Sequence, residues 1–383
     1  MGGPGETIRR DLELLGPGSP SWLPLAGRSF AGVTNRLFVT GLDIEVMRGI
    51  VFEPSGSVSF KDFPHPEARP GEAVLRVRAS GICGTDLQML REPQTGLVVS
   101  GHEACGDIIE LEAPAPPGLR VGARVMVYHY VGCGVCELCA LGYEQACPDR
   151  LSQYGRTANG GNAPYMLVAA RALIPLPDEL SYNAGAALAC GTGTAWVGLR
   201  KMRVSGADSV AIFGQGPVGL SGTLVAKAMG ARVIAIDINQ ARLDLARAAG
   251  ADHVISARDA DPVSAIRELT GGKGTTTALE TSGSATARGQ AIQSVRALGQ
   301  CCLVGMGHDP TQLEITRDVI LKSQTVFGSW TFTKAELIQA ARFMVEATIQ
   351  LDALITHRFS FDEAKEAFRV FAQGESGKCV FVA

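Results

Sequence analysis

The feature that most restricts what this chain can fold into is a glycine turn set between a strand and a helix. Val210-Ala211-Ile212-Phe213 reads as an apolar strand, and it runs into Gly214-Gln215-Gly216-Pro217-Val218-Gly219. In such a context the first glycine makes the turn and the second lets the backbone approach a pyrophosphate. The third permits close packing of helix on strand. Pro217 suits the first helical turn, where its missing N–H costs nothing, and Val218 follows it there. The helix N-terminus then offers free N–H groups and the positive end of its dipole to phosphates. Asp237 closes the next strand, and a carboxylate there accepts from ribose hydroxyls and repels a 2′-phosphate, which favours NAD over NADP. Arg242 lies close enough to keep NADP open.

The text around this turn alternates in the same way. Strands are expected at Ser209–Phe213, Arg232–Ile236, Val254–Ile255 and Ala278–Glu280, with helices at Val218–Met229 and Asn239–Ala249. This predicts an α/β domain with a doubly wound parallel sheet over residues 179–323. Residues 47–178 read differently, as short strands such as 73–79 and 121–127 between Gly/Pro turns, and predict a compact β-rich domain. Residues 324–383 return to mixed structure, with helices near 334–346 and 362–373. Residues 1–46 are broken by repeated Gly and Pro and are expected to be a loose extension or an upstream start. A length of 383 residues accommodates two or three domains.

Charge and targeting exclude several classes. Thirty-five basic and 38 acidic residues give a net charge of −3 without a basic tract, against a nucleic-acid or anionic-membrane partner. The most apolar stretch, 210–230, is cut by Gln215, Pro217 and Lys227, so no transmembrane helix is expected. No secretory signal pattern opens the chain, so the expected setting is cytoplasmic, with reduced thiols. Clustered cysteines then point to metal. Cys133, Cys136, Cys139 and Cys147 follow C-x2-C-x2-C-x7-C. Four thiolates can close a tetrahedron around zinc with no open position, which makes such a site structural. An iron–sulfur run would share the Cys147-Pro148 dipeptide but not the seven-residue gap.

A second metal site is scattered through Gly81-Ile82-Cys83-Gly84-Thr85-Asp86, Gly101-His102-Glu103 and Leu188-Ala189-Cys190-Gly191-Thr192-Gly193-Thr194. Cys83, His102 and Cys190 would leave one coordination position free, as a catalytic zinc requires. Asp86 is the candidate for orienting His102. Spacing alone leaves this trio weak, because a lone buried cysteine is usually a core residue.

Taken in order, these motifs resemble the zinc-dependent medium-chain alcohol dehydrogenases, over about residues 47–383. The resemblance implies a GroES-like catalytic domain split around a Rossmann domain, with the active site between them. It also implies NAD, two zinc ions per chain (one catalytic and one structural) and a homodimer or homotetramer. Cys83, His102 and Cys190 would be catalytic zinc ligands with Glu103 beside them, able to tune the metal or replace its water. Thr85 would take the alcohol proton, and Thr194 would contact the nicotinamide. The implied reaction moves a hydride from a small alcohol (secondary, primary or polyol) to NAD+, giving a ketone or aldehyde. Three positions depart from the family pattern. Gln88 stands where many relatives have a relay histidine. Cys190 stands where polyol dehydrogenases often have Glu. Asn162-Ala163-Pro164-Tyr165 lacks the usual Glu before Tyr. Two other readings are a metal-independent NAD(P)H reductase of the same fold and a non-catalytic NAD-binding protein. His65, His253, His308 and His357 read as surface or core residues. His129 reads the same way, with the added possibility that it faces substrate. Cys105, Cys301, Cys302 and Cys379 read as core thiols.

Overall fold

The computed structural model describes residues 35–39, 42–92 and 96–383. Most of the expected N-terminal extension lies outside these residues. Where it is described, Asn35–Val39 and Leu42–Phe52 pair antiparallel, and Leu42–Phe52 continues the pairing with Val58–Pro64. The strand Leu42–Phe52 therefore runs across the expected boundary between residues 46 and 47.

The β-rich part is built on a seven-stranded sheet. Six strands run in the order Leu173–Pro175, Arg124–Val127, Glu103–Leu111, Glu72–Gly81, Lys378–Val382 and Ile355–Phe359. Tyr165–Ala169 pairs with Glu72–Gly81 off this path. The central strand buries Ala73, Val74, Leu75, Val77 and Ala79. Burial of consecutive residues means that both of its faces are covered. Lys378–Val382, from the end of the chain, lies antiparallel to residues 79–81. The C-terminal segment thus completes the sheet begun 300 residues earlier.

The second sheet is parallel, in the order His253–Ser256, Arg232–Asp237, Ser209–Phe213, Thr275–Glu280, Val295–Leu303 and Thr325–Gly328. In chain order this is 3-2-1-4-5-6, the doubly wound dinucleotide-binding arrangement. All five residues of Ser209–Phe213 are buried, as expected for a strand with helices on both faces. The sixth strand lies past the expected limit at residue 323, because the short run Thr325–Gly328 shows little alternation. Strand order reverses at Ser209–Phe213, and ligands of such sheets bind at the carboxyl end of that strand.

Gly214–Gly219 occupies that end, and the helix Pro217–Ala228 starts within it. A β-carbon at Gly219 would lie 1.7 Å from the Gly214 carbonyl oxygen. The clash is with backbone and has no flexible side chain to yield. Gly219→Ala is expected to lower stability by about 2–3 kcal/mol, read as a fall in the urea midpoint at unchanged slope. An unaltered midpoint would show that helix and strand are not in this close packing.

Candidate metal centres and nucleotide turn

Helical structure from Tyr182 to Lys201 carries the link between the two sheets. Ser181 caps its start by accepting from the Ala184 N–H at 3.0 Å. At Leu188–Thr192 the helix widens into a π turn, all five residues buried, before Gly193–Lys201 resumes α geometry. π turns inside α-helices often sit at functional sites, because they turn a side chain out of the regular helical register. Cys190 is the residue presented by this one. Thr194 follows one helical turn later and is also buried.

Two other chain segments meet Cys190. Cys83 caps the helix Gly84–Arg91, whose first turn also holds the half-buried Thr85. His102 and Glu103 open the strand Glu103–Leu111. One ligand atom from each of Cys83, His102, Glu103 and Cys190 lies within 4.8 Å of the others. Cys83 Sγ and Cys190 Sγ are 3.9 Å apart, and Cys190 Sγ is 3.6 Å from His102 Nε2. Ligand bonds of zinc length set at tetrahedral angles give edges of about 3.8 Å for S···S and about 3.6 Å for S···N. A disulfide would need about 2.05 Å. The donor set and its spacing therefore fit a tetrahedral zinc.

Asp86 fixes two of these groups at once. Its Oδ2 accepts from the Cys83 backbone N–H at 2.8 Å, and its Oδ1 lies 3.1 Å from His102 Nδ1. That contact sets the His102 tautomer with Nδ1 protonated and turns the Nε2 lone pair toward the cysteines. Gly101 brings His102 into place from the other side. It has φ +88°, and a β-carbon there would lie 2.3 Å from Asn162 Oδ1. Asn162 is fully buried; it accepts from Ser80 Oγ at 2.7 Å and donates to Ser100 Oγ at 3.0 Å. The Asn162 amide thus clamps the backbone that leads into His102; the departure at Pro164, directly before Tyr165, has no structural explanation.

The partner of Glu103 lies 275 positions away in the chain, and no motif links the two. Lys378 forms an ion pair with Glu103 Oε2 and donates to the Ile82 carbonyl at 2.9 Å. Both side chains are buried, at 0% for Glu103 and 3% for Lys378. Burial raises the Glu103 carboxyl to about 7, against the pull of the ammonium. Gln88, on the helix that begins at Cys83, is met by a histidine from the other domain, with 3.1 Å between Gln88 Nε2 and His308 Nε2.

The four-cysteine loop closes as its spacing predicts. Its sulfurs lie within 4.8 Å of one another, with Cys133–Cys139 at 4.0 Å and Cys136–Cys147 at 3.8 Å. Backbone N–H groups of Val135 and Cys136 draw the Cys133 thiol down to about 7, toward the thiolate that a metal needs. Glu144 ties the loop to the fold. It accepts from the Gly132 N–H at 2.9 Å and pairs with Lys334 at 2.5 Å and Arg171 at 3.4 Å.

At the glycine turn, Asp237 Oδ2 accepts from the Gln215 N–H at 2.6 Å and Oδ1 from the Asn239 N–H at 2.9 Å. The carboxylate therefore sits at the edge of the Gly214–Gly219 turn. Arg242 lies against the same turn: its guanidinium would be 3.8 Å from a β-carbon at Gly216. The expected nucleotide residues are thus brought together, both the acid and the competing base.

Comparison with known proteins agrees with this geometry. Residues 69–178 match the alcohol dehydrogenase GroES-like domain, and residues 217–346 match the zinc-binding dehydrogenase model. The chain belongs to the zinc-type alcohol dehydrogenase family. It is 32% identical over 340 residues to an uncharacterized zinc-type alcohol dehydrogenase-like protein of Escherichia coli K12, covering 85% of this chain and 96% of that one. It is 32% identical over 337 residues to an L-threonine 3-dehydrogenase of Pyrococcus horikoshii, covering 83% and 92%. Among solved structures, the alcohol dehydrogenase of Thermus sp. ATN1 superimposes with a TM-score of 0.79 at 28% identity, covering 88% of this chain and 99% of that one. No described helix is long and apolar enough to cross a membrane.

The Glu144 contacts generate a pH test. Burial raises its pKa, but Lys334 and the Gly132 N–H outweigh it and hold the carboxyl below the usual value. A depressed folded-state pKa contributes stability that is present above the unfolded value, about 4.3, and is lost as pH falls through the folded one. Glu144→Gln is expected to lower the urea midpoint at pH 7, with the gap from wild type closing below about pH 4. A gap of constant size across that range would remove the charge from the argument.

Proposed function

We propose that this protein is a zinc- and NAD-dependent dehydrogenase that oxidises a small alcohol to the ketone or aldehyde. The observation that carries the reading is the Cys83, His102 and Cys190 cluster, whose spacing fits a tetrahedral ion. In this reading Cys83, His102 and Cys190 hold a catalytic zinc, and Cys133, Cys136, Cys139 and Cys147 hold a structural one. A zinc ion held by the first set supplies a Lewis acid that lowers the pKa of a hydroxyl brought to it. The two thiol groups supply negative charge that offsets the dication, and Asp86 keeps His102 oriented. Glu103, held by Lys378, stands in the same cluster as a carboxylate that can approach or leave the ion. Thr85, on the helix turn after Cys83, accepts the alcohol proton at Oγ1 while its own hydroxyl proton passes on to the cofactor ribose and water. Thr194, one turn beyond Cys190, positions the nicotinamide that accepts the hydride.

Asp237 supports NAD as the partner. Its carboxylate is already fixed by two backbone N–H groups, and it retains lone pairs for ribose hydroxyls. Arg242 supports contact with the phosphates: its Nε is buried with no hydrogen-bond partner among the described residues. The metal-independent reductase reading leaves the Cys83–His102–Cys190 geometry without a purpose. The non-catalytic reading does the same for Thr85 and the open position. A homodimer or homotetramer and a cytoplasmic setting remain part of the proposal by family likeness.

Metal content and turnover test this together. The purified protein is expected to carry two zinc ions per chain and to form NADH, followed at 340 nm, with a panel of primary, secondary and polyhydroxy alcohols. Cys190→Ser is expected to abolish turnover and halve the zinc content while NADH still binds, read by its fluorescence. Full activity in that variant would remove Cys190 from the ligand set. Separately, Asp237→Ala is expected to raise the KM for NAD+ about tenfold to a hundredfold and to narrow its preference over NADP+. Equal cofactor kinetics before and after would exclude Asp237 from ribose binding.

A further inference from the structure

His129 stands next to the metal cluster and has no task in the reaction described above. It lies just before the two-residue strand Tyr130–Val131 that leads into the four-cysteine loop, and it is 2% exposed. Its ring is centred 5.2 Å from the His102 ring, 4.2 Å from Tyr130 and 6.4 Å from Phe332. The wall continues outward. Tyr130 and Trp330 meet edge to face at 5.7 Å, with the Arg150 guanidinium over both rings, and Trp330 is 45% exposed. An aromatic surface thus runs from solvent to the cluster, with His129 at its inner end.

The hydrogen-bonding account of this imidazole does not close within the protein. Enclosure by rings disfavours the charged form, so the ring carries one N–H and one lone pair. The Ala189 carbonyl lies beside it and can only accept. Buried Nδ1 has no hydrogen-bond partner among the described residues. The neighbouring polar group on the same stretch is satisfied: Tyr128 Oη bonds Gln145 Oε1 at 2.8 Å and the Phe332 carbonyl at 3.1 Å. With the other ring nitrogen donating its N–H to the Ala189 carbonyl, the Nδ1 lone pair is left over at the inner end of the aromatic wall. A buried polar group left without a partner is costly, and a ligand that supplies the missing donor recovers that cost.

We propose that His129 is a specificity residue that accepts a hydrogen bond from a second donor on the substrate, carried one carbon from the carbinol. The substrate class is then the vicinal diols and 2-amino alcohols, in preference to simple alcohols of the same size. The inference rests on the dehydrogenase reading for the position of the carbinol at the cluster. Discrimination of this kind is steep, because a substrate lacking the donor leaves the buried acceptor unpaired.

Three probes share a secondary carbinol and the same size: 2-butanol, 1,2-propanediol and 1-amino-2-propanol. The wild type is expected to show a kcat/KM for the second and third probes at least about tenfold above the first. His129→Phe keeps the aromatic volume and removes the lone pair, and the ratio is expected to fall to near one. His129→Asn, which offers an amide oxygen, is expected to retain part of the preference and guards against a variant that merely misfolds. Calorimetric titration of the NADH-bound protein, in which no oxidation occurs, reads the same preference as a ratio of Kd values. A ratio in either measurement that stays within twofold between wild type and His129→Phe overturns the inference. Turnover without preference overturns it and leaves the dehydrogenase reading standing. Preference in the NADH complex without turnover on any probe supports the recognition and overturns the dehydrogenase reading; absence of both overturns both.

Discussion

Four donor atoms within 4.8 Å, drawn from three separate parts of the chain, are the constraint on which the rest of the arrangement depends. Cys83 comes from a helix start, His102 and Glu103 from a strand start, and Cys190 from a π turn between the domains. Each is held by something that has no other evident purpose. Asp86 joins the Cys83 backbone to His102. Asn162 holds the turn at Gly101. The π turn is less favourable than regular helix, and its persistence here requires the fully buried surroundings that Ala184 to Leu199 provide. Ligand sets positioned in this way owe their precision to the groups behind them. Cys190 is thus one point at which the two domains meet, and the nucleotide turn lies within a short helix of it. A β-carbon at Gly191 would touch Val218 at 3.7 Å, so the cluster and the first turn of the nucleotide helix are in direct packing contact.

Much of this was legible in the order of residues, and the reasons differ by element. The glycine turn was readable because its physics is local: a strand, three close approaches and a helix start within ten residues. The strand Ser209–Phe213 and the helix Lys334–Glu346 lie where the sequence places them, since apolar spacing alone specifies both. The four-cysteine loop was readable for the same reason, all its donors falling within fifteen residues. Pairing across distance was not. The strand Leu42–Phe52 begins in a stretch whose composition resembles a linker, and Val295–Leu303 contains Gly and Arg that mask its period. The scattered ligands gain their meaning from the family likeness rather than from spacing. Gln88 and His308 are 220 residues apart, and no periodicity links them. The sequence places His129 just before the zinc loop, with the possibility that it faces substrate. Its significance lies in the absence of a donor, which a sequence does not display.

The buried pair of Glu103 and Lys378 shows why the chain must return to its first domain. A carboxylate with no exposed surface beside the Cys83 sulfur is unfavourable twice over: it is desolvated, and it adds to the negative charge on that sulfur. Gly81 has no side chain to help; a β-carbon there would lie within 3 Å of both partners of the pair. The ammonium that pairs with it is carried by the last strand, Lys378–Val382, which seats Lys378 by pairing with residues 79–81. The Lys378 ammonium is itself disfavoured by burial, and Glu103, Cys83 and Cys190 reverse the balance and hold it protonated. Neither charge is tolerable alone, and the cost of breaking such a buried pair is of the order of 3–5 kcal/mol. Closure of the seven-stranded sheet and charge balance at the cluster are thus one event. Until the C-terminal strand docks, Glu103 has no counter-ion, and a site able to hold a dication exists only in the fully threaded chain.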